Sequence, residues 1–432
     1  MSRMKAGPPG SVLFLNHNVR GEGTYLRCHN LAASLSELGI AVDLVCTNPR
    51  RGRLCVEEQR ERNNLRVILL PEFNPTPSYA GCALRAFLAA ERVARRGRKY
   101  DVIHAFAVAI PSTALPAFLA GRTRPGRLFL DWDDLWGGGL GRHLPRTANW
   151  LLNRLERGIP AAAKPLGLTT ASRSLRQKFL EAGFPEASIL WLPNGADREL
   201  PAVPPKKVCR DNLGIEAEGE ILIAMGRMFD ESLALLLEAF ALVLRRRPAA
   251  RLFVVGDLCT YGDLGAIVAR ARRRWRKLGR RVVFTGGKQD RELALWLGAA
   301  DLLVLPLCNV ASDQARFPMR FGSYLVSGRP TVASAAGEVG RISRETGCAL
   351  TTEAGNPADL ARGCLEVLAD PDLAARLAEK ARETAATRLN WETLGSNLLD
   401  FYLVRRQAYL NGKNSSAGKE KQYTRARSPR RN

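Results

Sequence analysis

The chain has 432 residues, 46% of them hydrophobic, and this length exceeds one ordinary hydrophobic core but suits two domains. No stretch of about 18 uninterrupted apolar residues is present, so the sequence predicts no membrane-spanning helix. The nine cysteines are scattered without a Cys-x-x-Cys pair, which argues against a disulfide framework or a zinc site and indicates a reducing cytoplasm.

The formal net charge is +23, and a basic surface attracts the phosphate of nucleic acids, lipid headgroups or nucleotides. Two segments carry much of this charge, residues 269–281 and the C-terminal stretch 413–432. The second holds seven Lys or Arg and one Glu among Ser, Gly and Asn, so we expect it to be disordered and able to contact an anionic membrane. A solvated, arginine-rich surface without an anionic partner is the alternative explanation.

The first half of the chain alternates short apolar runs with longer amphipathic stretches. The first run, 11–17, is followed by a helical pattern over 24–39. Further strands are predicted at 41–47, 65–71, 101–107, 127–133, 166–172 and 188–194. Because nearly continuous apolar strands alternating with helices are typical of a parallel sheet covered on both faces, we predict a doubly wound α/β domain over residues 1–200.

A segment rich in Pro and charged residues, 201–219, predicts a linker, after which the alternation restarts. Strands are predicted at 220–226, 251–257, 281–287, 301–307, 330–336 and 348–350. The stretch 359–386 predicts two helices split at an Asp-Pro pair. A second α/β domain is therefore expected over 220–392, followed by a C-terminal helix over 393–411 and a disordered basic tail over 412–432.

Functional side chains are expected directly after strands, because open α/β sheets bind ligands outside the carboxyl ends of their strands. Two such sheets that face each other enclose a cleft. In the loop after the first strand, Gly21 and Gly23 allow backbone N–H groups to approach an anion at the start of a helix. A plain tight turn is the alternative for this loop.

The order and spacing of several longer motifs resemble the family 4 glycosyltransferases, which are retaining enzymes with the glycosyltransferase-B fold. The resemblance extends from about residue 11 to 405 and includes GEGTYLRCHNLAASLSELGIAVDLV near the start and RFPMRFGSYLVSGRP in the second half. It implies two Rossmann-like domains that face each other across a cleft. The first domain would bind the acceptor and the second the nucleotide-sugar donor.

The resemblance also implies which residues bind the donor diphosphate. The family's arginine matches Arg227, which follows Gly226. The other positions that it places in the donor site are Gly256, Gly286, Phe317, Pro318 and Ser323.

Two donor-site residues of the family are missing from this chain. The family's lysine would fall near Ser232, and the two glutamates of its Glu-x7-Glu pair fall on Ala315 and Ser323. Arg320 stands where related sequences have a lysine next to the diphosphate, and a guanidinium can bind phosphate oxygens in bidentate fashion. An exposed arginine at a helix start is the alternative.

The segment DWDDL ends a strand of the first domain. We predict that Asp133 and Asp134 contact a sugar or acceptor hydroxyl, and a helix N-cap is the alternative. No metal is predicted, since the family binds the diphosphate with protein cations and helix dipoles. His104 lies on an apolar strand and is expected to be a hydrogen-bonded core histidine.

These features predict a cytoplasmic retaining glycosyltransferase that moves a hexose from a nucleotide diphosphate donor to a lipid-linked (polyprenol) or surface-glycan acceptor. Arg227 and Arg320 would stabilise the leaving diphosphate, and the donor is a co-substrate, so no cofactor is expected. The missing lysine and glutamate favour the alternative of a catalytically degenerate glycan-binding or scaffold protein. No nucleic-acid partner is expected, because no recognised binding module is present.

Overall fold

The computed structural model describes residues 7–50, 55–72, 79–107, 109–196, 200–215, 219–226, 228–256, 273, 276–288 and 290–426. Arg227, predicted to bind the donor, lies outside these ranges. Residues 269–272 and 274–275 of the basic segment and the end of the basic tail, 427–432, also lie outside them.

The N-terminal domain is built on an eight-stranded sheet with the order β3-β4-β2-β1-β5-β6-β7-β8. The strands are β1 (Ser11–Val19), β2 (Ala41–Thr47), β3 (Glu57–Arg62), β4 (Leu65–Leu70), β5 (Val102–Phe106), β6 (Leu128–Trp132), β7 (Gly167–Thr170) and β8 (Ile189–Trp191). All neighbours are parallel except β3, which pairs antiparallel with β4 at the sheet edge. Every strand predicted for this domain is present, whereas β3 was not predicted because it consists entirely of polar and charged residues.

Helices cover both faces of this sheet, as the continuous apolar strands predicted. They are α1 (Thr24–Glu37), α2 (Tyr79–Arg96), α3 (Pro111–Thr123), α4 (Arg146–Ala163) and α5 (Arg173–Glu181). Helix α1 packs on one face, where its Leu31 joins Phe14 of β1. Helices α2 to α5 contribute to a second cluster on the other face, in which Ala117 and Phe179 join Leu15.

The C-terminal domain has a six-stranded sheet, wholly parallel, with the order β11-β10-β9-β12-β13-β14. Its strands are β9 (Ile221–Met225), β10 (Arg251–Val255), β11 (Val282–Gly286), β12 (Leu302–Leu305), β13 (Thr331–Ser334) and β14 (Leu350–Thr352). The helices described in this part of the chain are α6 (Lys206–Leu213), α7 (Asp230–Arg246), α8 (Asp290–Ala299), α9 (Ala311–Ala315), α10 (Met319–Ser327), α11 (Gly337–Thr346), α12 (Pro357–Ala369) and α13 (Pro371–Thr387). The predicted pair of helices is confirmed, with Asp370 as the N-cap of the second.

The predicted linker contains helix α6, which packs on the C-terminal domain. The guanidinium of Arg210 donates to the carbonyl of Ala299 at 3.0 Å and pairs with Asp301 at 2.5 Å. Helix α6 therefore attaches this segment to the domain that follows it.

The last helix, α14 (Trp391–Ala426), returns to the N-terminal domain. The Tyr402 hydroxyl lies 2.6 Å from Nδ1 of His104, and Arg405 donates to the carbonyl of Leu166 at 2.8 Å. The backbone stays helical well past residue 411, so the predicted disorder is wrong for residues 412–426. The reason is that this stretch contains Lys, Glu, Gln and Ala, which favour helix, and no Pro. Across the described helices, no segment combines the length and the apolar character needed to cross a bilayer.

Candidate functional site

The carboxyl-end edges of the two sheets face each other across the boundary between the domains, which we call the cleft. In each sheet the strand order reverses beside the first strand of the domain, between β1 and β5 and between β9 and β12. Such switch points are where open α/β sheets bind ligands. Two hydrogen bonds join the edges directly: Asn194 donates to the carbonyl of Phe317 at 2.6 Å, and the hydroxyl of Ser172 donates to the carbonyl of Ala315.

The N-terminal wall of the cleft is organised by a buried ion pair between Arg27 of α1 and Asp131 of β6. The guanidinium donates to both carboxylate oxygens, at 3.0 and 2.8 Å. It also donates to the side-chain oxygen of Asn194 at 3.0 Å and to the carbonyl of Leu192 at 2.8 Å. The pair thus connects α1, β6 and the end of β8, and through Asn194 it reaches the other domain.

The sequence interpretation missed this pair. Its signal is an arginine on the otherwise apolar face of the helix TYLRCHNLAASL, together with the first aspartate of DWDDL. His104, by contrast, is a hydrogen-bonded core histidine as predicted, with Nε2 3.1 Å from the hydroxyl of Thr169. Burial lowers the pKa of His104 to about 3, so the ring is neutral.

Asp133 lies at the cleft end of β6 and is almost completely buried. One of its carboxylate oxygens, Oδ2, accepts a hydrogen bond from the hydroxyl of Thr24 at 2.5 Å. The other, Oδ1, has no hydrogen-bond partner within the described part of the chain. Burial, together with the negative charges of Asp134 and Asp131, raises the pKa of Asp133 to about 7.

Asp134 is half-buried beside Asp133. Burial raises the pKa of its carboxyl group, whereas the positive charge of Arg316, from the C-terminal domain, lowers it. The alternative of a helix N-cap at these two aspartates is wrong, because the next α-helix begins only at Arg146.

A buried glutamate holds the backbone that follows these acids. The carboxylate of Glu156, on α4, accepts from the ring nitrogen of Trp132 at 2.8 Å and from the backbone N–H groups of Trp136 and Gly137 at 2.9 and 2.7 Å. Burial raises the pKa of Glu156 and these three donors oppose that shift. The loop after β6 is thereby fixed against α4.

The glycine loop after β1 lies beside Asp133 through Thr24. Gly23 has φ +55°, and a Cβ atom there would lie 2.2 Å from the side-chain nitrogen of Asn18, so no other residue fits. Gly21 has φ +89° with open space around it. Anion binding by this loop stays a prediction.

On the C-terminal wall, three glycines lie side by side at the ends of β9, β10 and β11. The N–H of Gly256 donates to the carbonyl of Gly286 at 3.0 Å, and a Cβ atom on Gly256 would lie 3.0 Å from the carbonyl oxygen of Gly226. A Cβ atom on Gly226 would lie 2.9 Å from Cδ of Arg320. The predicted donor residues Gly226 and Arg320 are therefore in direct contact.

The surroundings of Arg320, on α10, disfavour the charged form of its guanidinium. Burial, together with the positive charge of Arg316, lowers its pKa to about 10. Arg316 lies over the ring of Phe229, with 5.3 Å between its guanidinium carbon and the ring centroid, and pairs with Asp313 at 2.6 Å. A second positive charge beside the guanidinium of Arg320 suits an anionic ligand, since it disfavours the charge of Arg320.

Three further predicted donor residues occupy the same segment. Phe317 packs in the core against Phe321, so only its backbone reaches the cleft, where its carbonyl is bonded to Asn194. Pro318 is the N-cap residue of α10, and Ser323 is buried one turn after Arg320. Their roles in donor binding stay predictions, as does that of Arg227. No group of three or more metal-binding side chains occurs in the described ranges.

Two family models match the chain in succession. The model described as "Glycosyl transferase 4-like domain" matches residues 22–195, and the one described as "Glycosyl transferases group 1" matches residues 219–370.

Similar curated proteins include two transferases. The chain is 24% identical over 221 residues to a lipopolysaccharide 1,2-N-acetylglucosaminetransferase of Salmonella typhimurium. The matched region covers 50% of this chain and 56% of that protein. It is 26% identical over 244 residues to a GDP-mannose-dependent alpha-(1-6)-phosphatidylinositol monomannoside mannosyltransferase of Mycobacterium tuberculosis. The matched region covers 54% of this chain and 60% of that protein. The matches thus span little more than half of the relatives' length.

Solved structures are similar over a larger share of the chain. A sucrose-phosphate synthase from Thermosynechococcus elongatus covers 92% of this chain and 98% of its own, with a TM-score of 0.69 and 19% identity. HepE of Anabaena, in complex with UDP-glucose, covers 90% of this chain and 98% of its own, with a TM-score of 0.66 and 19% identity. At this level of identity the likeness is one of fold.

Proposed function

The chain belongs to the group 1 glycosyltransferases, and on this basis we propose that it transfers a hexose, with retention, from a nucleotide diphosphate sugar to a glycan or lipid-linked acceptor. The predicted two-domain glycosyltransferase-B fold agrees with its structural neighbours. The observation that carries the proposal is the cleft, with two guanidiniums on its C-terminal wall and two acids on its N-terminal wall.

The donor diphosphate is proposed to bind against Gly226 and Arg320. The absence of a side chain at Gly226 leaves room for the side chain of Arg320, which supplies positive charge at the end of β9. Negative charge grows on the phosphate as the bond to the sugar breaks, and cations already in place stabilise it. Arg316 adds a second positive charge to this wall, with no metal or further cofactor in the proposal.

The acceptor hydroxyl is proposed to bind at Asp133. Thr24 already donates to Oδ2 of this carboxylate, so Oδ1 is the oxygen left to accept a bond from the acceptor. A carboxyl group whose pKa lies near 7 can also take up the hydroxyl proton at neutral pH. Asp134, held by the same loop, is the second candidate contact.

The acceptor class is inferred from the relatives. One is named for its action on lipopolysaccharide and another for its action on a phosphatidylinositol mannoside. Both names describe glycans carried by lipids, so we propose a lipid-linked or surface glycan as the acceptor. The basic tail is proposed to aid this by contacting anionic headgroups at the cytoplasmic face of the membrane, with each nearby Lys or Arg contributing about 1 kcal/mol.

A donor screen tests the proposed activity. The full chain is incubated with UDP-, GDP- and ADP-sugars, with and without a lipid extract that contains glycolipids, and nucleotide release is measured. We expect one nucleotide to be released, faster with the extract, and the release to fall about a hundredfold in Arg320→Ala. Exposed Arg344→Ala is the control. Failure of the wild type to bind any of the three nucleotides at millimolar concentration would contradict the proposal and favour the glycan-binding scaffold.

A further inference from the structure

Helices α3 and α4 of the N-terminal domain present apolar side chains to solvent on the surface turned away from the sheet. Leu115 is 49% exposed, Trp150 62% and Leu151 45%. Phe118 and Trp150 line a shared groove of about 610 Å³ between the two helices. We call these four residues, together with Arg122, Arg154 and Arg157, the α3–α4 surface. Large exposed apolar side chains gathered on one face indicate a site of interaction.

The charges on the α3–α4 surface have one sign. Arg122 lies over the ring of Phe118 with 5.3 Å between the guanidinium carbon and the ring centroid, and Arg154 lies over Trp150 at 5.7 Å. Arg157 lines the same groove. The only acid of α3 or α4 is Glu156, which is 2% exposed and bonded to the loop after β6. Aromatic rings with arginines directly beside them suit the boundary between lipid headgroups and acyl chains.

The α3–α4 surface lies where a membrane that carries a lipid-linked acceptor could reach it. Helix α4 follows the loop that begins at Asp133 and is held to that loop by Glu156. Trp150 and Leu151 occupy the first half of α4, the end nearer the cleft, because a helix that follows a strand starts at the carboxyl edge of the sheet. The α3–α4 surface is therefore next to the acceptor side of the cleft but outside it.

We propose that the α3–α4 surface docks on an anionic phospholipid bilayer, with Trp150 and Leu151 inserted at the interface and the three arginines against the headgroups. Docking in this orientation brings the acceptor side of the cleft close to the membrane. The contact is separate from donor binding, so vesicle binding and nucleotide binding are independent readouts.

Co-sedimentation of the full chain with vesicles tests the proposal. Vesicles of phosphatidylcholine alone are compared with vesicles that also contain phosphatidylglycerol. We expect wild-type protein to sediment with the anionic vesicles, and the variant Trp150→Ser/Leu151→Ser to lose at least about tenfold in partitioning. The variant Arg154→Glu/Arg157→Glu is expected to lose more than about tenfold in partitioning onto the anionic vesicles. Its difference from the wild type should become smaller as salt is added, because salt screens the charges.

Matched controls separate this surface from general effects. Leu38→Ser removes a side chain that is 46% exposed just after α1, on the opposite face of the same sheet. Arg344→Glu/Arg376→Glu reverses two exposed charges of the C-terminal domain. Neither is expected to change vesicle binding by more than about twofold, since both lie off the docking face. All variants are repeated in a chain that ends at residue 412, so that binding through the basic tail is not mistaken for binding through the helices.

Two outcomes would overturn the proposal. One is equal vesicle binding by wild type and Trp150→Ser/Leu151→Ser in the chain that ends at residue 412, with nucleotide binding and the unfolding midpoint unchanged. The other is a change from dimer to monomer in this variant by sedimentation velocity without loss of vesicle binding, which would assign the surface to a second copy of the chain.

Discussion

On the N-terminal wall of the cleft, the buried charges of Arg27 and Asp131 neutralise each other through two hydrogen bonds. On the C-terminal wall, Arg316 lowers the pKa of Arg320 instead of raising it, because both carry positive charge. The first arrangement pairs opposite charges, whereas in the second two like charges oppose each other. The comparison separates residues that hold the site in shape from residues proposed to bind the donor.

The largest effect, on the free energy of unfolding, is expected from breaking the ion pair between Arg27 and Asp131. Arg27→Ala leaves the carboxylate of Asp131 buried without its cation, which should lower the free energy of unfolding by about 3–5 kcal/mol. Chemical denaturation measures this, with exposed Arg376→Ala as the control. The double variant Arg27→Met/Asp131→Asn should recover much of the loss. A change below about 1 kcal/mol in Arg27→Ala would show that the pair does not act as a unit.

The next largest effect is expected from removing the charge of Arg320 on the C-terminal wall. Arg320→Ala should reduce turnover about a hundredfold, which corresponds to about 3 kcal/mol of transition-state stabilisation. Its unfolding midpoint should be unchanged or slightly higher, because burial and Arg316 both disfavour the charge that is removed. Steady-state kinetics and thermal unfolding measure the two quantities. A fall in stability as large as the fall in turnover would instead make Arg320 a structural residue.

A smaller effect is expected from the pH dependence that Asp133 introduces. Its pKa is about 7 in the folded protein and higher than in the unfolded chain, so the folded state binds more protons between about pH 4 and 7. Stability should therefore fall as pH rises through this window and then level off. Asp133→Asn should remove that slope, whereas exposed Asp400→Asn should leave it. Chemical denaturation at several pH values measures the slope of the unfolding free energy against pH. The same slope in Asp133→Asn and in the wild type would contradict a raised pKa at Asp133.

The smallest effect concerns the ribose contact that the chain lacks. Ser323→Glu places a carboxylate one turn from Arg320, and a charge-assisted hydrogen bond to the ribose should tighten nucleotide binding by about 1 kcal/mol, or about fivefold. Isothermal titration with UDP, GDP and ADP measures this, and Ser323→Gln is the neutral control. Weaker binding of all three nucleotides would mean that the new carboxylate pairs with Arg320 rather than with the ribose.

The sequence was sufficient to predict the strands and the two sheets because continuous apolar runs leave a clear pattern. The strand β3 has no such pattern, since its residues alternate between exposed and half-buried positions with charged side chains throughout. It is held partly by polar contacts, such as the bond from Arg20 to Gln59. Side chains separated by tens of residues in the sequence leave no periodic signal.

The candidate site was predictable where a motif carries it. The spacing of RFPMRFGS singled out Arg320, and the structure places that residue against Gly226. The pair Arg27–Asp131 and the bond from Asn194 to Phe317 were missed because each joins residues more than a hundred positions apart. Arg316 was also missed, although it begins the same motif, because the family resemblance assigns that position no charge.

The return of α14 to the N-terminal domain has a consequence for synthesis on the ribosome. The backbone of Ala196 donates to the carbonyl of Leu389 at 2.6 Å, so the outgoing and returning chains cross between the domains side by side. Tyr402, which bonds His104 inside the first sheet, is made some 300 residues later than that histidine. The domain that emerges first therefore keeps part of one face of its sheet uncovered until the last helix has been translated. The C-terminal domain, contiguous from α6 to α13, can complete its own core before the N-terminal domain does.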